Sequence, residues 1–180
     1  MKKLSYAHSG GGEPLVGLPI YTFLRREAEN WMSRDAAVFV HQGVRLSYRE
    51  FFVEVDKVAK GLLKLGVERG DRVAIWGTDS AQWLILQIAT ARVGAILVNI
   101  NPAYRGRELE HALKAARIQE FFLMPAFRSS KYAEMAVELL PEAASCAPDE
   151  LKTENFPELR HVVVYDPANV DETERPAQGF

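Results

Sequence analysis

The stretch that decides the fold is Gly-Asp-Arg-Val-Ala-Ile-Trp-Gly at residues 70–77, together with Ala-Arg-Val-Gly-Ala-Ile-Leu-Val-Asn-Ile-Asn at residues 91–101. Residues 72–76 have the apolar composition of a strand in a sheet that is covered on both faces. Ser80 is placed to cap a helix, and a second strand is predicted at residues 95–99. A strand, a helix and a strand in this order predict a βαβ unit with a right-handed crossover.

Upstream of this unit, the sequence predicts a helix and a small hairpin. Thr22 would cap the helix, which is expected to end near residues 33–35. Two short strands at residues 37–41 and 44–47 flank Gln42-Gly43, where glycine accepts the positive φ of a tight turn.

The hairpin leads into a long helix. Ser47-Tyr48-Arg49-Glu50 has the pattern of a capping box, in which the serine hydroxyl and the glutamate carboxylate satisfy free backbone N–H groups. Apolar residues recur at helical spacing up to Leu65, and Gly66 stands where a left-handed C-cap is expected.

Downstream, strands and helices continue to alternate. Helices are predicted at residues 107–116 and 131–140, and strands at residues 120–124 and 161–165. The polar stretch 141–157 is predicted to be a surface excursion. The expected fold class is therefore α/β, with a layered and mainly parallel sheet flanked by helices and a small N-terminal β-hairpin.

The predicted organisation has three parts. Residues 1–18 are expected to be an extended N-terminal arm, because they carry glycine and proline without periodicity. Residues 19–166 are expected to form the α/β unit, and residues 167–180 are acidic and unperiodic, as in a loop.

Composition narrows the function classes. The 22 Lys and Arg residues stand against 24 Asp and Glu, so the chain lacks the basic surface that sequence-independent nucleic-acid binding requires. Cys146 is the single cysteine, which fits a reducing compartment and predicts a cytoplasmic location. The start of the sequence has no apolar signal-peptide core, and the apolar run 84–100 is too short and too polar to span a bilayer.

Two glycine-bearing stretches need weighing as phosphate loops. Gly10-Gly11-Gly12 is followed by prolines rather than by a helix, so a flexible arm is favoured. Gly77-Thr78-Asp79-Ser80 does lie between a strand and a helix, where open α/β sheets place ligands. It lacks spaced glycines, and a capped turn is favoured there.

Other residues are better explained by structure than by chemistry. Trp76 and Trp83 lie in periodic apolar segments and are predicted to be core residues. His8 and His41 have no partner at metal-ligand spacing, and Cys146 lacks the motif of a nucleophile.

A family resemblance rests on particular residues. Residues 91–104, which end in Asn-Pro-Ala-Tyr, resemble the acyl-CoA synthetases of the adenylate-forming superfamily. Residues 125–132 and 159–164 are similar to the medium-chain fatty-acyl-CoA ligase subgroup. The resemblance identifies the chain as the N-terminal portion of an AMP-forming acyl-CoA synthetase, with residues 19–166 as the N-terminal subdomain of its AMP-binding domain and residues 167–180 as a cut loop.

The resemblance implies a reaction for the complete enzyme. A fatty acid or other carboxylic acid would react with ATP and Mg²⁺ to give an acyl-adenylate, and coenzyme A would then displace AMP. The family's Pro-Lys-Gly phosphate loop would follow shortly after Phe180, so the resemblance carries no catalytic residue and no metal ligand onto this sequence. The 180 residues alone are expected to be inactive.

Arg105, Arg107 and His111 are the candidate ligand-binding residues. They cluster after Pro102, where cations could meet the phosphates of coenzyme A in the assembled enzyme. Solvated helix charges are the alternative explanation.

Two other function classes remain open. The chain could be a noncatalytic binding module that kept this scaffold as a homodimer, and exposed apolar area would support this class. It could also be a free-standing nucleotide binder with a flavodoxin-like sheet, although no phosphate-loop glycine pattern supports that class.

Overall fold

The computed structural model describes residues 15–147 and 150–167. The predictions for His8, for Gly10-Gly11-Gly12 and for most of the N-terminal arm lie outside these residues, as does the predicted loop 167–180 apart from Pro167.

Within the described residues the elements alternate as the sequence predicts. The helices are α1 (Ile20–Glu27), α2 (Tyr48–Lys64), α3 (Ala81–Val93), α4 (Gly106–Ala115) and α5 (Tyr132–Leu139). The strands are β1 (Asp35–Phe39), β2 (Val44–Ser47), β3 (Arg72–Trp76), β4 (Ile96–Ile100), β5 (Glu120–Leu123) and β6 (His161–Val164). Short 3₁₀ turns occupy Glu29–Trp31, Val40–Gln42 and Pro141–Ala144.

Four of the strands form one parallel sheet in the order β4-β3-β5-β6, and β1 and β2 form a separate antiparallel hairpin. The chain steps from β3 to β4 in one direction and from β4 past β3 to β5 in the other. Because such crossovers are right-handed, α3 and α4 lie on opposite faces of the sheet. Helices α1 and α2 pack with α3, and α4 packs with α5. The predicted α/β fold is confirmed.

The core is centred on the two inner strands. Val73, Ala74, Ile75 and Trp76 of β3 are buried, and so is every residue of β5. Both strands are covered by helices on both faces, which explains why they are apolar without alternation.

Local signals set both ends of α2. The Glu50 N–H donates to Ser47 Oγ at 3.3 Å, and Glu50 Oε2 accepts the Ser47 N–H at 2.8 Å. At the other end Gly66 has φ of 80°, with its N–H on the Leu63 carbonyl and the Val67 N–H on the Leu62 carbonyl. This is the Schellman arrangement, which needs a residue in the left-handed region.

The ends of α3 also follow the sequence. Ser80 Oγ accepts the Trp83 N–H at 3.2 Å, and Gly94 ends the helix at φ of 79°. Trp76 is fully buried and Trp83 packs against the core, as predicted.

The first helix differs from the prediction. It begins at Ile20 after Pro19 and stops at Glu27, so Thr22 is inside the helix and caps nothing. Proline at the N-cap fixes an extended start there, and the 3₁₀ turn takes over the residues predicted to continue the helix.

The described part of the stretch 141–157 is mostly exposed or half-buried, as predicted for a surface excursion, but two of its residues are buried. One is Phe156, whose ring centroid lies 5.4 Å from the Lys114 ammonium. Thr153 is buried as well, and Leu159 joins the core just beyond. Because their neighbours in the sequence are polar or charged, composition did not indicate that Thr153 and Phe156 are buried.

Candidate functional site

The carboxyl ends of β3, β4, β5 and β6 meet at one edge of the sheet, here called the carboxyl edge. Open α/β sheets bind ligands in the crevice at this edge, where neighbouring strands send their connections to opposite faces. In this fold that crevice lies between β3 and β5, because α3 and α5 follow them on opposite sides.

Side chains fill the crevice between β3 and β5. A Cβ atom at Gly77 would come within 2.7 Å of Met124 Sδ and 2.8 Å of Tyr165 Oη. The Thr78 N–H points at the same sulfur at 3.1 Å. Burial raises the pKa of Tyr165 to about 12, although a hydrogen bond with Ser80 opposes the shift. Since Ser80 caps α3, residues 77–80 form the capped turn that the sequence predicts.

The loop after β4 is held by hydrogen bonds from neighbouring side chains to its backbone carbonyls. Trp76 Nε1 donates to the Asn101 carbonyl at 3.2 Å, and the Tyr132 hydroxyl donates to the Pro102 carbonyl at 3.1 Å. Asn101 Oδ1 accepts the Ala103 N–H at 2.9 Å, which closes an Asx turn. The loop therefore has a fixed path that ends at the start of α4.

Arg105 connects this loop to the next one. Its guanidinium donates to the Tyr104 carbonyl at 2.9 Å, to the Ala103 carbonyl at 3.2 Å and to Ser130 Oγ at 3.2 Å. All three acceptors are uncharged and the side chain is exposed. The positive charge is thus held in place at the carboxyl edge. Among the described residues no carboxylate pairs with this guanidinium, and Glu108 Oε2 instead accepts the Arg105 backbone N–H at 3.2 Å.

Arg107 and His111 lie on α4 itself. They are four residues apart and exposed, on the side of the helix opposite the buried Leu109 and Leu113. Within the described part of the chain, neither side chain has a hydrogen-bond or ion-pair partner. The structure therefore places Arg105 in the loop and the other two on the first two turns of α4, and their role as ligand-binding residues stays a prediction.

The sequence interpretation missed a second source of positive charge. The loop after β5 makes a tight turn in which Phe127 and Ser130 exchange backbone hydrogen bonds of 2.8 and 2.9 Å. Arg128 at its tip has φ of 52°, and Lys131, which follows the turn, is paired with Glu134 at 2.9 Å. A cation shortly after the predicted strand 120–124 is the signal that could have located this loop beside Arg105.

The opposite, amino edge of the sheet carries a buried ionic cluster. Glu120 has no exposed surface; one oxygen accepts Arg160 Nε at 3.0 Å, and the other lies 2.7 Å from His161 Nδ1. The Arg160 guanidinium also pairs with Asp71, which accepts the Glu68 N–H at 2.9 Å. These residues join β3, β5 and β6, and neither spacing nor composition pointed to them.

The two carboxyl groups of this cluster shift in opposite directions. Burial raises the pKa of Glu120 above its ordinary value, in spite of His161 and Arg160. Burial alone would also raise the pKa of Asp71, but the Glu68 N–H and Arg160 together lower it below its ordinary value.

The described residues show neither a metal site nor a membrane-spanning helix. Among the described residues, no group of three or more His, Cys, Asp or Glu side chains could hold a metal ion. In the same part of the chain, no helix has the length and apolar character needed to cross a bilayer.

Comparisons with known proteins give a consistent result. The family model for the AMP-binding enzyme matches residues 24–178. A medium-chain acyl-CoA ligase from Danio rerio, named ACSF2 and mitochondrial, is 37% identical over 162 residues, which are 90% of this chain and 27% of that protein. The corresponding Homo sapiens protein is 35% identical, across 91% of this chain and 26% of its own length. These relatives belong to the subgroup that residues 125–132 and 159–164 indicated.

A solved structure agrees on the fold. The N-terminal domain of FACL13 from Mycobacterium tuberculosis matches with a TM-score of 0.67 at 19% identity, over 89% of this chain and 38% of that one. The chain spans about a quarter of the length of the curated relatives it matches.

Proposed function

The chain belongs to the AMP-binding enzyme family, and from this premise we propose that it is part of an acyl-CoA ligase. Such an enzyme uses ATP to convert a carboxylic acid to an acyl-adenylate, with release of pyrophosphate. It then transfers the acyl group to coenzyme A, with release of AMP. The observation that carries the proposal is the 37% identity to a medium-chain acyl-CoA ligase over nine tenths of the chain. A fatty acid is the proposed substrate.

The described residues fit a supporting role in this reaction rather than a catalytic role. The crevice at the carboxyl edge is filled by Met124 and Tyr165, and no described cluster of carboxylates fits Mg²⁺. We infer that ATP and Mg²⁺ are held by groups other than the described ones. The same filled crevice counts against a free-standing flavodoxin-like nucleotide binder.

Coenzyme A is the one proposed cofactor for which this region offers fitting groups. Its phosphates are anionic, and Arg105 is held at the carboxyl edge by neutral acceptors that leave its charge available. Arg107 and His111 add donors on the adjoining turns of α4. These three residues are the proposed coenzyme A side of the site.

The activity is tested by pyrophosphate release with ATP, Mg²⁺ and a panel of fatty acids. The 180-residue chain is compared with the product of the full reading frame. Release by the longer product alone is the expected result. Release by the 180 residues would contradict the assigned supporting role, and silence in both would contradict the ligase proposal.

The coenzyme A site is tested in the same active protein. Replacing Arg105 and Arg107 together with Ala is expected to raise the apparent KM for coenzyme A about tenfold, since each charge-assisted hydrogen bond contributes about 1–3 kcal/mol and solvent exposure weakens both. The KM for ATP should not change. Lys60→Ala is the control, because Lys60 is an exposed cation on a different helix, α2. An unchanged KM for coenzyme A in the double variant would remove the hypothesis.

The second candidate function is a noncatalytic binding module that acts as a homodimer. Large apolar side chains with high exposure favour it, among them Val40 at 86%, Leu63 at 59% and Ile96 at 51%. Light scattering after gel filtration tests this candidate. A dimer without pyrophosphate release in either protein would support it, and a monomer would not.

The cytoplasmic location stays a prediction. The name of the Danio rerio relative places that protein in mitochondria. Fractionation of cells that express the full reading frame, with detection of the native protein, decides between the two locations.

A further inference from the structure

Gln42 joins three segments that are far apart in sequence. It lies in the 3₁₀ turn of the hairpin and is partly buried. Its Oε1 accepts the Ala81 N–H at 2.8 Å, at the start of α3. Its Nε2 donates to Gln82 Oε1 at 2.9 Å and to the Pro167 carbonyl at 2.7 Å.

The orientation of this amide is determined by its partners. A backbone N–H such as that of Ala81 can only donate, so it must face Oε1 of Gln42. The Pro167 carbonyl can only accept, so it must face Nε2. The side chain therefore bonds on both sides, and a flipped amide would lose the Ala81 and Pro167 contacts.

Pro167 lies just beyond the point where the chain leaves the sheet. The last backbone bond holding this end of β6 is from the Tyr165 N–H to the Leu123 carbonyl at 2.9 Å. The Tyr165 ring is buried beside α3, and the exposed Asp166 lies between it and Pro167. The bond from Gln42 to Pro167 bridges 125 residues and ties this exit to the separate hairpin.

We propose that Gln42 is a clamp that fixes the path of the chain after β6 against the N-terminus of α3. Among the described strands the hairpin shares no pairing with the parallel sheet, and the side-chain bond of Gln42 couples its turn to the exit of β6. When the clamp is closed, the chain leaves β6 along the carboxyl edge, on the α3 side. When it is open, the exit and the hairpin turn move independently. The proposal does not depend on the acyl-CoA ligase function.

Hydrogen exchange of two backbone amides, measured by NMR on the 180-residue chain, tests the clamp. Gln42→Glu keeps an acceptor for the Ala81 N–H but removes both N–H donors, so it opens only the contacts to Pro167 and Gln82. Gln42→Ala removes all three bonds. Gln82→Ala is the matched control, since it deletes the neighbouring amide and leaves the bond to Pro167.

The exchange rates expected in the three variants distinguish the contact of Gln42 with Pro167 from its contact with Ala81. The Tyr165 amide should exchange about tenfold faster in Gln42→Glu and in Gln42→Ala, as loss of one partly buried hydrogen bond allows. The Ala81 amide should exchange faster only in Gln42→Ala. Neither amide should change in Gln82→Ala.

Three results would overturn the clamp. One is an unchanged Tyr165 rate in Gln42→Glu, and another is an equal acceleration in Gln82→Ala. The third is an equal acceleration at Val55, in the buried face of α2, because that would indicate global rather than local opening.

Discussion

Charged side chains are buried and paired at one edge of the parallel sheet and exposed at the other. At the amino edge, Glu120 is enclosed and bonded to Arg160 and to His161, so its charge is used inside the molecule. At the carboxyl edge, the Arg105 guanidinium is exposed and, among the described residues, donates only to neutral oxygens, while its backbone N–H donates to Glu108 Oε2 at 3.2 Å. The same sheet thus carries a closed ionic cluster at one edge and exposed cations at the other. Buried ion pairs mark the structural edge, whereas an exposed guanidinium on neutral acceptors marks the edge proposed to bind a ligand.

The largest effect is expected from opening the amino edge. Glu120→Ala leaves Arg160 and His161 without their buried acceptor, and removing one partner of a buried ionic cluster costs about 3–5 kcal/mol. Urea unfolding followed by circular dichroism measures the change. Arg105→Ala at the other edge should cost less than about 1 kcal/mol. Equal losses at the two edges would erase the distinction between them.

The next effect concerns how tightly the carboxyl edge is filled. Gly77→Ala forces a methyl group against Met124 Sδ and Tyr165 Oη, which should cost about 1–3 kcal/mol. Gly61→Ala is the control, because Gly61 lies inside α2 with open space beside it and alanine there should stabilise the chain by about 0.5–1 kcal/mol. Thermal unfolding measures both variants. A neutral Gly77→Ala would mean that the crevice has room for a ligand.

The smallest effect is a dependence on pH within the amino edge. The pKa of Asp71 is lowered, so this group stabilises the fold fully at pH values above its ordinary pKa of 3.8. That contribution to the free energy of unfolding is lost as the pH falls through the lower pKa of the folded state. The pKa of Glu120 is raised, so its contribution to the free energy of unfolding is complete at pH values below its ordinary pKa of 4.5 and is lost as the pH rises through the higher pKa of the folded state.

Unfolding of Asp71→Asn and Glu120→Gln from pH 2 to pH 7 checks these signs. The gap in stability between wild type and Asp71→Asn should shrink as the pH falls below 3.8. The stability of wild type relative to Glu120→Gln should fall as the pH rises above 4.5. Parallel curves for wild type and a variant would mean that the group does not titrate differently in the folded chain.

Sequence reasoning succeeded where a few neighbouring residues decide the outcome. Ser47 and Glu50 sit one turn apart and cap α2 by themselves, and Gly66 and Gly94 end helices through their own backbone freedom. The alternation of these elements then determined the α/β class and the parallel sheet.

It failed where partners come from distant parts of the chain. The bond between Gln42 and Pro167 and the cluster around Glu120 depend on the order of strands, which no local pattern encodes. The stretch 141–157 was predicted to be a surface excursion because it is polar, and the burial of Phe156 within it was missed. Arg105 was singled out as a ligand-binding candidate, which stays a prediction, and its contact with Ser130 required knowledge of how two loops meet.

The way the loop after β4 is held has a consequence for how this protein could evolve. Trp76 and Tyr132 grip the carbonyl groups of Asn101 and Pro102, so the path of the loop is specified through main-chain atoms. Substitutions of Arg107 and His111, whose side chains have no hydrogen-bond or ion-pair partner among the described residues, would change the charge next to the loop without altering its course. If the proposed coenzyme A role holds, selection could exchange one ligand preference for another in single steps, while the scaffold beneath stays the same.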